Sequence, residues 1–172
     1  GTTREGSIRI NVVPLPGAPE ISYDGALGIC QGDSVILTSS EGFDYLWSNG
    51  ENTQSVTIKT SGSYSVNIVD EFGCQSLPSA SVEVNVIENP AKPLVNPTGS
   101  VGICDGDSIL LETSYEADAY LWSNGETSRN ITVRKQGNYS VQTINSSGCM
   151  SPPSDSTEVE VYPIPAKPDI SP

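Results

Sequence analysis

The chain repeats itself. Ile29-Cys30-Gln31-Gly32-Asp33-Ser34 returns as Ile103-Cys104-Asp105-Gly106-Asp107-Ser108, and Tyr45-Leu46-Trp47-Ser48-Asn49-Gly50-Glu51 returns as Tyr120-Leu121-Trp122-Ser123-Asn124-Gly125-Glu126. Gly73-Cys74 returns as Gly148-Cys149, and Pro90-Ala91-Lys92-Pro93 as Pro165-Ala166-Lys167-Pro168. The offset is 74 residues for the first pair and 75 for the others, so one residue is inserted near Tyr115. A period of this size means tandem modules, each a supersecondary or domain unit.

The pattern overruns both ends. Ser7-Ile8-Arg9-Ile10-Asn11-Val12-Val13, with Pro16 and Pro19 beyond it, matches Ser81-Val82-Glu83-Val84-Asn85-Val86-Ile87, with Pro90 and Pro93 beyond. The expected organisation is a closing strand of a preceding repeat plus linker over 1–18, a first repeat over 19–92 and a second over 93–167. The start of a following repeat then covers 168–172. Neighbouring repeats of the same chain are the first partners this implies. Asn89-Pro90-Ala91-Lys92-Pro93 is short and proline-rich, which predicts a joint of limited bend with the two modules arranged end to end.

Composition bounds the fold class. Glycine (16) and proline (13) are plentiful, methionine occurs once, and Ser, Thr and Val recur throughout. That mixture favours short strands and tight turns. No segment reaches the roughly 20 apolar residues of a membrane helix, so no membrane insertion is expected. A net charge of −13 argues against nucleic acid and anionic membrane surfaces as partners.

Alternation of apolar and polar residues marks the strands of the first repeat: 20–22, 34–38, 45–47, 56–58, 64–68 and 82–86. The second repeat gives 108–111, 120–122, 131–133, 139–143 and 159–161. Asn49-Gly50 predicts a type I′ hairpin turn. Short strands at this spacing make an all-β chain of two tandem β-sandwich domains.

The four cysteines fall two per repeat, and with no histidine and no CxxC they read as disulfide cysteines of an oxidising compartment. Strand parity bears on their pairing. If a single strand lies between Trp47 and Tyr64, Cys30 and Cys74 share a pole of the sandwich, and Cys30–Cys74 and Cys104–Cys149 are the expected bonds. Closing such a loop would contribute about 4 kcal/mol on the chain-entropy account. With a further full strand the two fall at opposite poles, beyond the reach of a disulfide, and Cys30 would instead face Cys149.

Trp47 and Trp122 share a strand face with Tyr45 and Tyr120, which assigns them to the core rather than to a sugar-stacking platform. Tyr64 and Tyr139 follow a glycine turn and read as packing residues whose phenols bond to backbone. Asp33, Asp105 and Asp107 are candidate calcium ligands. No EF-hand loop or dense alternation of Asp accompanies them, however, and Gln31 stands where the second repeat has Asp105. The simpler reading is an Asp-Ser turn whose carboxylate accepts backbone N–H groups, with no cofactor. Enzymatic readings lack parts: there is no His, no GxSxG, no P-loop and no GxGxxG. The expectation is that the chain is not an enzyme.

The run CxGDS, then YxWSNG, SGxYSV, GC and a valine-alternating strand resembles the bacterial immunoglobulin-like and PKD-like tandem repeats of Bacteroidota cell-surface proteins. Such repeats occur in SprB-type gliding-motility adhesins and in related modular proteins secreted by the type IX pathway. The resemblance covers nearly the whole chain. Its marker positions are Cys30, Trp47, Gly62, Tyr64 and Cys74, with Cys104, Trp122, Gly137, Tyr139 and Cys149. It implies an immunoglobulin-like sandwich at the outer surface of a Gram-negative bacterium and carries over no catalytic residue. The implied function is a disulfide-stapled spacer or stalk of a secreted or cell-surface adhesin, serving gliding motility or surface attachment. The alternative is an accessory or carbohydrate-binding module of a secreted glycoside hydrolase. Either would give an extracellular polysaccharide or surface ligand as partner.

Overall fold

The computed structural model describes residue 12 and residues 14–168. The expected strand over Ser7–Val13 and the opening of a later repeat beyond 168 lie outside the described residues, Val12 and Pro168 apart. Contacts divide the chain into two units, Gly1–Val86 and Ile87–Pro172. The division falls at the end of the last strand of the first repeat, a few residues before the expected boundary at 92 and 93.

The first unit contains β1 (Ile21–Tyr23), β2 (Gly28–Cys30), β3 (Val35–Ser39), β4 (Asp44–Trp47), β5 (Ser55–Ile58), β6 (Gly62–Tyr64), β7 (Val66–Val69) and β8 (Val82–Ile87). One layer is ordered β1-β3-β5, and the other carries β2-β8-β6 and β4-β7. Only Ser65 separates β6 from β7, so one stretch of chain pairs first with β8 and then with β4. The alternation seen in the sequence is the alternation of burial. Val35 and Leu37 of β3, with Val56 and Ile58 of β5, point into a core completed by Trp47, Tyr64, Val66 and Val84 from the opposite layer.

The second unit repeats this order with β9 (Val95–Asn96), β10 (Ser100–Cys104), β11 (Ile109–Thr113), β12 (Ala119–Trp122), β13 (Asn130–Val133), β14 (Gly137–Tyr139), β15 (Val141–Ile144) and β16 (Thr157–Tyr162). Its layers are β9-β11-β13 against β10-β16-β14 and β12-β15. β10 lies parallel to β16 through five rungs, from Ser100 opposite Glu158 to Cys104 opposite Tyr162. Val95, Leu111, Trp122, Ile131, Val133, Tyr139, Val141 and Val159 form its core. In each unit the strand order is that of an immunoglobulin-like sandwich, and the chain is all-β.

Three local features differ from expectation. β2 and β10 are additional strands. The Asn-Gly turns are not type I′, which requires positive φ at both central residues. No described non-glycine residue has positive φ, and Gly50 (φ 90°) donates its N–H to the Trp47 carbonyl at 2.9 Å. This is a type I turn over Ser48-Asn49, followed by glycine in the left-handed region. Asn49 instead uses its side chain: Oδ1 accepts the Glu51 N–H at 3.2 Å, and Nδ2 donates to Glu51 Oε1 at 3.1 Å. Asn124 and Glu126 do the same in the second unit.

The third difference decides the parity question. β4 ends at Trp47 near the pole where β3 begins, yet β5 starts at Ser55 opposite Thr38, near the pole where β3 ends. The intervening chain must therefore cross back over the sandwich. It does so as an irregular segment tied by the Trp47 backbone N–H to the Glu51 carbonyl (2.9 Å) and the Trp47 indole N–H to the Thr53 carbonyl (2.8 Å). This is a full traverse without a ladder of its own.

Candidate functional site

The cysteines occupy both poles of each unit. Cys30 closes β2 and enters β3 through a turn in which the Asp33 N–H donates to the Cys30 carbonyl at 2.9 Å. Cys74 follows β7, whose end at Val69 pairs with Asp44, at the other pole. The four steps of β3 from Val35 to Ser39 alone rise roughly 13 Å, about twice the Cα separation a disulfide tolerates.

The expected Cys30–Cys74 and Cys104–Cys149 bonds are therefore corrected. Cys74 and Cys104 are free thiols, whereas Cys30 and Cys149 are each disulfide-bonded. The reason is the traverse over residues 51–54, which the sequence does not mark as a strand.

Each cysteine loop is held by the same construction. Asp70 Oδ1 accepts the N–H groups of Phe72 (2.9 Å) and Cys74 (2.8 Å). Asn145 Oδ1 accepts those of Ser147 (3.1 Å) and Cys149 (2.9 Å). An Asp and an Asn do equivalent work within these loops because the loop N–H groups need only an acceptor oxygen; the Asn145 amide nitrogen donates elsewhere, to the Glu88 carbonyl at 3.3 Å.

The aromatic residues are consumed by the fold. Trp47 is 3% exposed and Trp122 2%, and the Trp122 indole N–H donates to the Ser128 carbonyl at 2.8 Å. The Tyr64 phenol donates to the Thr60 carbonyl at 2.9 Å, and the Tyr139 phenol to the Lys135 carbonyl at 2.9 Å. Neither tryptophan presents a face to solvent. The most exposed aromatic groups of the first unit are instead Phe43 (70% exposed) and Phe72 (66%), ahead of Tyr23 (48%), and sequence reasoning assigned them no role. Asp118 and Ser147 replace them in the second repeat.

Asp33, Asp105 and Asp107 sit exposed in the turns after β2 and β10. Backbone closes these turns, with the Asp107 N–H on the Cys104 carbonyl (2.9 Å) and the Asp105 N–H on the Tyr162 carbonyl (2.8 Å). Among the described residues no group of three or more Cys, Asp or Glu side chains is placed to hold a metal ion. Beside Cys104, the exposed Tyr162 phenol donates to Glu160. That bond, together with the negative charges of Glu160 and then Glu158, raises its pKa above the ordinary tyrosine value.

Sequence reasoning also missed a set of buried serines. Ser79 Oγ accepts the Val66 N–H (3.1 Å) and Ser76 Oγ accepts the Ile68 N–H (3.0 Å). Ser154 and Ser151 do the same for Val141 (3.0 Å) and Thr143 (2.9 Å). These hydroxyls satisfy the edge of β7 or β15 that no strand covers. The available signal was the repeated spacing Cys74-x-Ser76-x-Pro78-Ser79 and Cys149-x-Ser151-x-Pro153-Ser154.

No helix long and apolar enough to cross a membrane occurs among the described residues. No family model and no curated protein matches the chain. Among solved structures, it is similar to the three N-terminal domains of the bacteriophage RB49 Highly Immunogenic Outer Capsid protein (Hoc). The identity is 19% over 84% of this chain and 59% of that one, with a TM-score of 0.41. It is also similar to the human OSCAR ligand-binding domain, at 16% identity over 83% of this chain and 97% of that one, with a TM-score of 0.37. The chain thus spans about three fifths of the phage structure it matches.

Proposed function

We propose that the two units are non-catalytic repeats of a large secreted or cell-surface adhesin, acting as a spacer that sets adhesive surface away from the cell. The observation that carries this reading is the fate of the repeated aromatic residues. Trp47, Trp122, Tyr64 and Tyr139 are all buried, and every indole N–H and phenol among them is satisfied by backbone. What the two repeats have in common is spent on building a sandwich. The oxidised Cys30 and Cys149 support an extracellular location. The resemblance to Bacteroidota surface repeats supports the outer surface of a Gram-negative bacterium and a part in gliding or attachment.

The exposed Phe43 and Phe72 favour a second reading, an accessory module of a secreted glycoside hydrolase that binds polysaccharide through them. Retention on cellulose, chitin and agarose, with a soluble glycan panel, separates the two. The spacer reading expects no saturable binding by the intact chain. Saturable binding that disappears in a folded Phe43→Ala, Phe72→Ala variant would replace it with the carbohydrate-module reading.

A further inference from the structure

The two free thiols have oxidised counterparts. Cys74 occupies the place that Cys149 holds in the other unit, and Cys104 the place of Cys30. The local scaffolds match as well. Asp70 holds the Cys74 loop as Asn145 holds that of Cys149, and the Asp107 N–H closes the Cys104 turn as the Asp33 N–H closes that of Cys30. The chain therefore contains each kind of cysteine in both states, in one backbone geometry. The traverse over 51–54 forbids Cys74 from reaching Cys30, and the matching strand order keeps Cys104 from Cys149.

We propose that Cys104 of one copy of this chain and Cys74 of the next form a disulfide, joining copies head to tail. Cys104 is exposed and Cys74 partly exposed. Apolar groups accompany them. Phe72 and Leu77 stand exposed within three residues of Cys74, and Tyr162, exposed, is the rung opposite Cys104. Because the two thiols belong to different units, the contact is heterologous and extends from copy to copy unless its rotation closes a ring. The inference stands on the internal repeat and not on the spacer role; a carbohydrate module would be joined in the same way.

The chemistry needs a disulfide oxidant, here glutathione disulfide. The Cys104 thiolate attacks one of its sulfurs and releases a glutathione thiolate. The Cys74 thiolate of a second copy then attacks the Cys104 sulfur and expels the second glutathione. Two protein thiols become one disulfide while one disulfide becomes two thiols.

The test is incubation of the intact chain in a glutathione redox buffer, followed by non-reducing electrophoresis and peptide mapping. A ladder of oligomers is expected, its intermolecular peptide joining Cys104 to Cys74. Cys74→Ser and Cys104→Ser variants should each lose the ladder and stay largely monomeric, since neither carries both halves of the bond. Mixed together, they should give a heterodimer in several-fold excess over the random proportion. Three results would overturn the proposal: both thiols staying reduced, a heterodimer at only the random proportion, or mapping of the unmutated chain that places Cys74 or Cys104 on Cys30 or Cys149.

Discussion

The backbone N–H of Val141 donates to the Ser154 hydroxyl at 3.0 Å, and that hydroxyl donates to the Asp155 carbonyl at 2.9 Å. One small side chain thus does the work of a missing rung on the edge of β15. Replacing Ser154 by Ala leaves a buried N–H without its acceptor, which costs about 1–3 kcal/mol. Urea unfolding of the Ser154→Ala chain should show this loss in the second unit, and Ser79→Ala a similar loss in the first. An unchanged midpoint for both would show that water takes over the hydroxyl's part.

Trp122→Ala should cost about 3–5 kcal/mol, as large-to-small changes at buried aromatic residues do. The loss comprises the ring's burial in the core and the indole bond to the Ser128 carbonyl. Trp122→Phe should cost less, since a ring remains. Thermal unfolding followed by circular dichroism measures both, and equal midpoints for the two variants would contradict the packing argument.

Ser39 is the converse case. It is buried, and its Oγ has no hydrogen-bond partner, whereas its counterpart Thr113 accepts the Tyr115 N–H at 3.4 Å. An unpaired hydroxyl withdrawn from water is a cost with no return. Ser39→Ala is expected to be neutral or to stabilise the first unit by up to about 1 kcal/mol. Calorimetry showing clear destabilisation would mean that the hydroxyl is partnered in solution.

The Tyr162 phenol is held protonated by its bond to Glu160, and the carboxylate's charge opposes formation of a phenolate. Its folded-state pKa lies above the unfolded value. The stabilisation is therefore complete below the unfolded tyrosine pKa of about 10 and is lost as pH rises through the folded value. Nuclear magnetic resonance titration with ring-labelled tyrosine should show the Tyr162 midpoint falling in Glu160→Gln. A midpoint unmoved by that change would remove Glu160 as the cause.

Much of the sandwich was legible because burial on one face of a strand leaves a period of two. β3, β5 and β8 were bounded to within a residue or so by Val35, Val56 and Val82 and their alternating neighbours. β2 and β10 were not, because Gly28-Ile29-Cys30 is too short to show a period. In the second unit the partner is the distant β16, with no hairpin between them to signal it. The core placement of Trp47 and Tyr64 could be read from strand parity. The cysteine pairing could not, because it turns on residues 51–54, which cross the sandwich without the β-branched or alternating pattern that announces a strand. Asn49 misled for a related reason: an Asn-Gly pair serves two turn types, and the Glu51 that follows selects the one in which the asparagine side chain is used.

The parallel pairing of β10 with β16 has a mechanical consequence. The chain enters the second unit ahead of β10 at one pole and leaves after β16 at the other. Traction along the chain would draw these strands past one another along their own length. The rungs from Ser100–Glu158 to Cys104–Tyr162 would then be strained together and would have to break together, rather than opening one by one from an end.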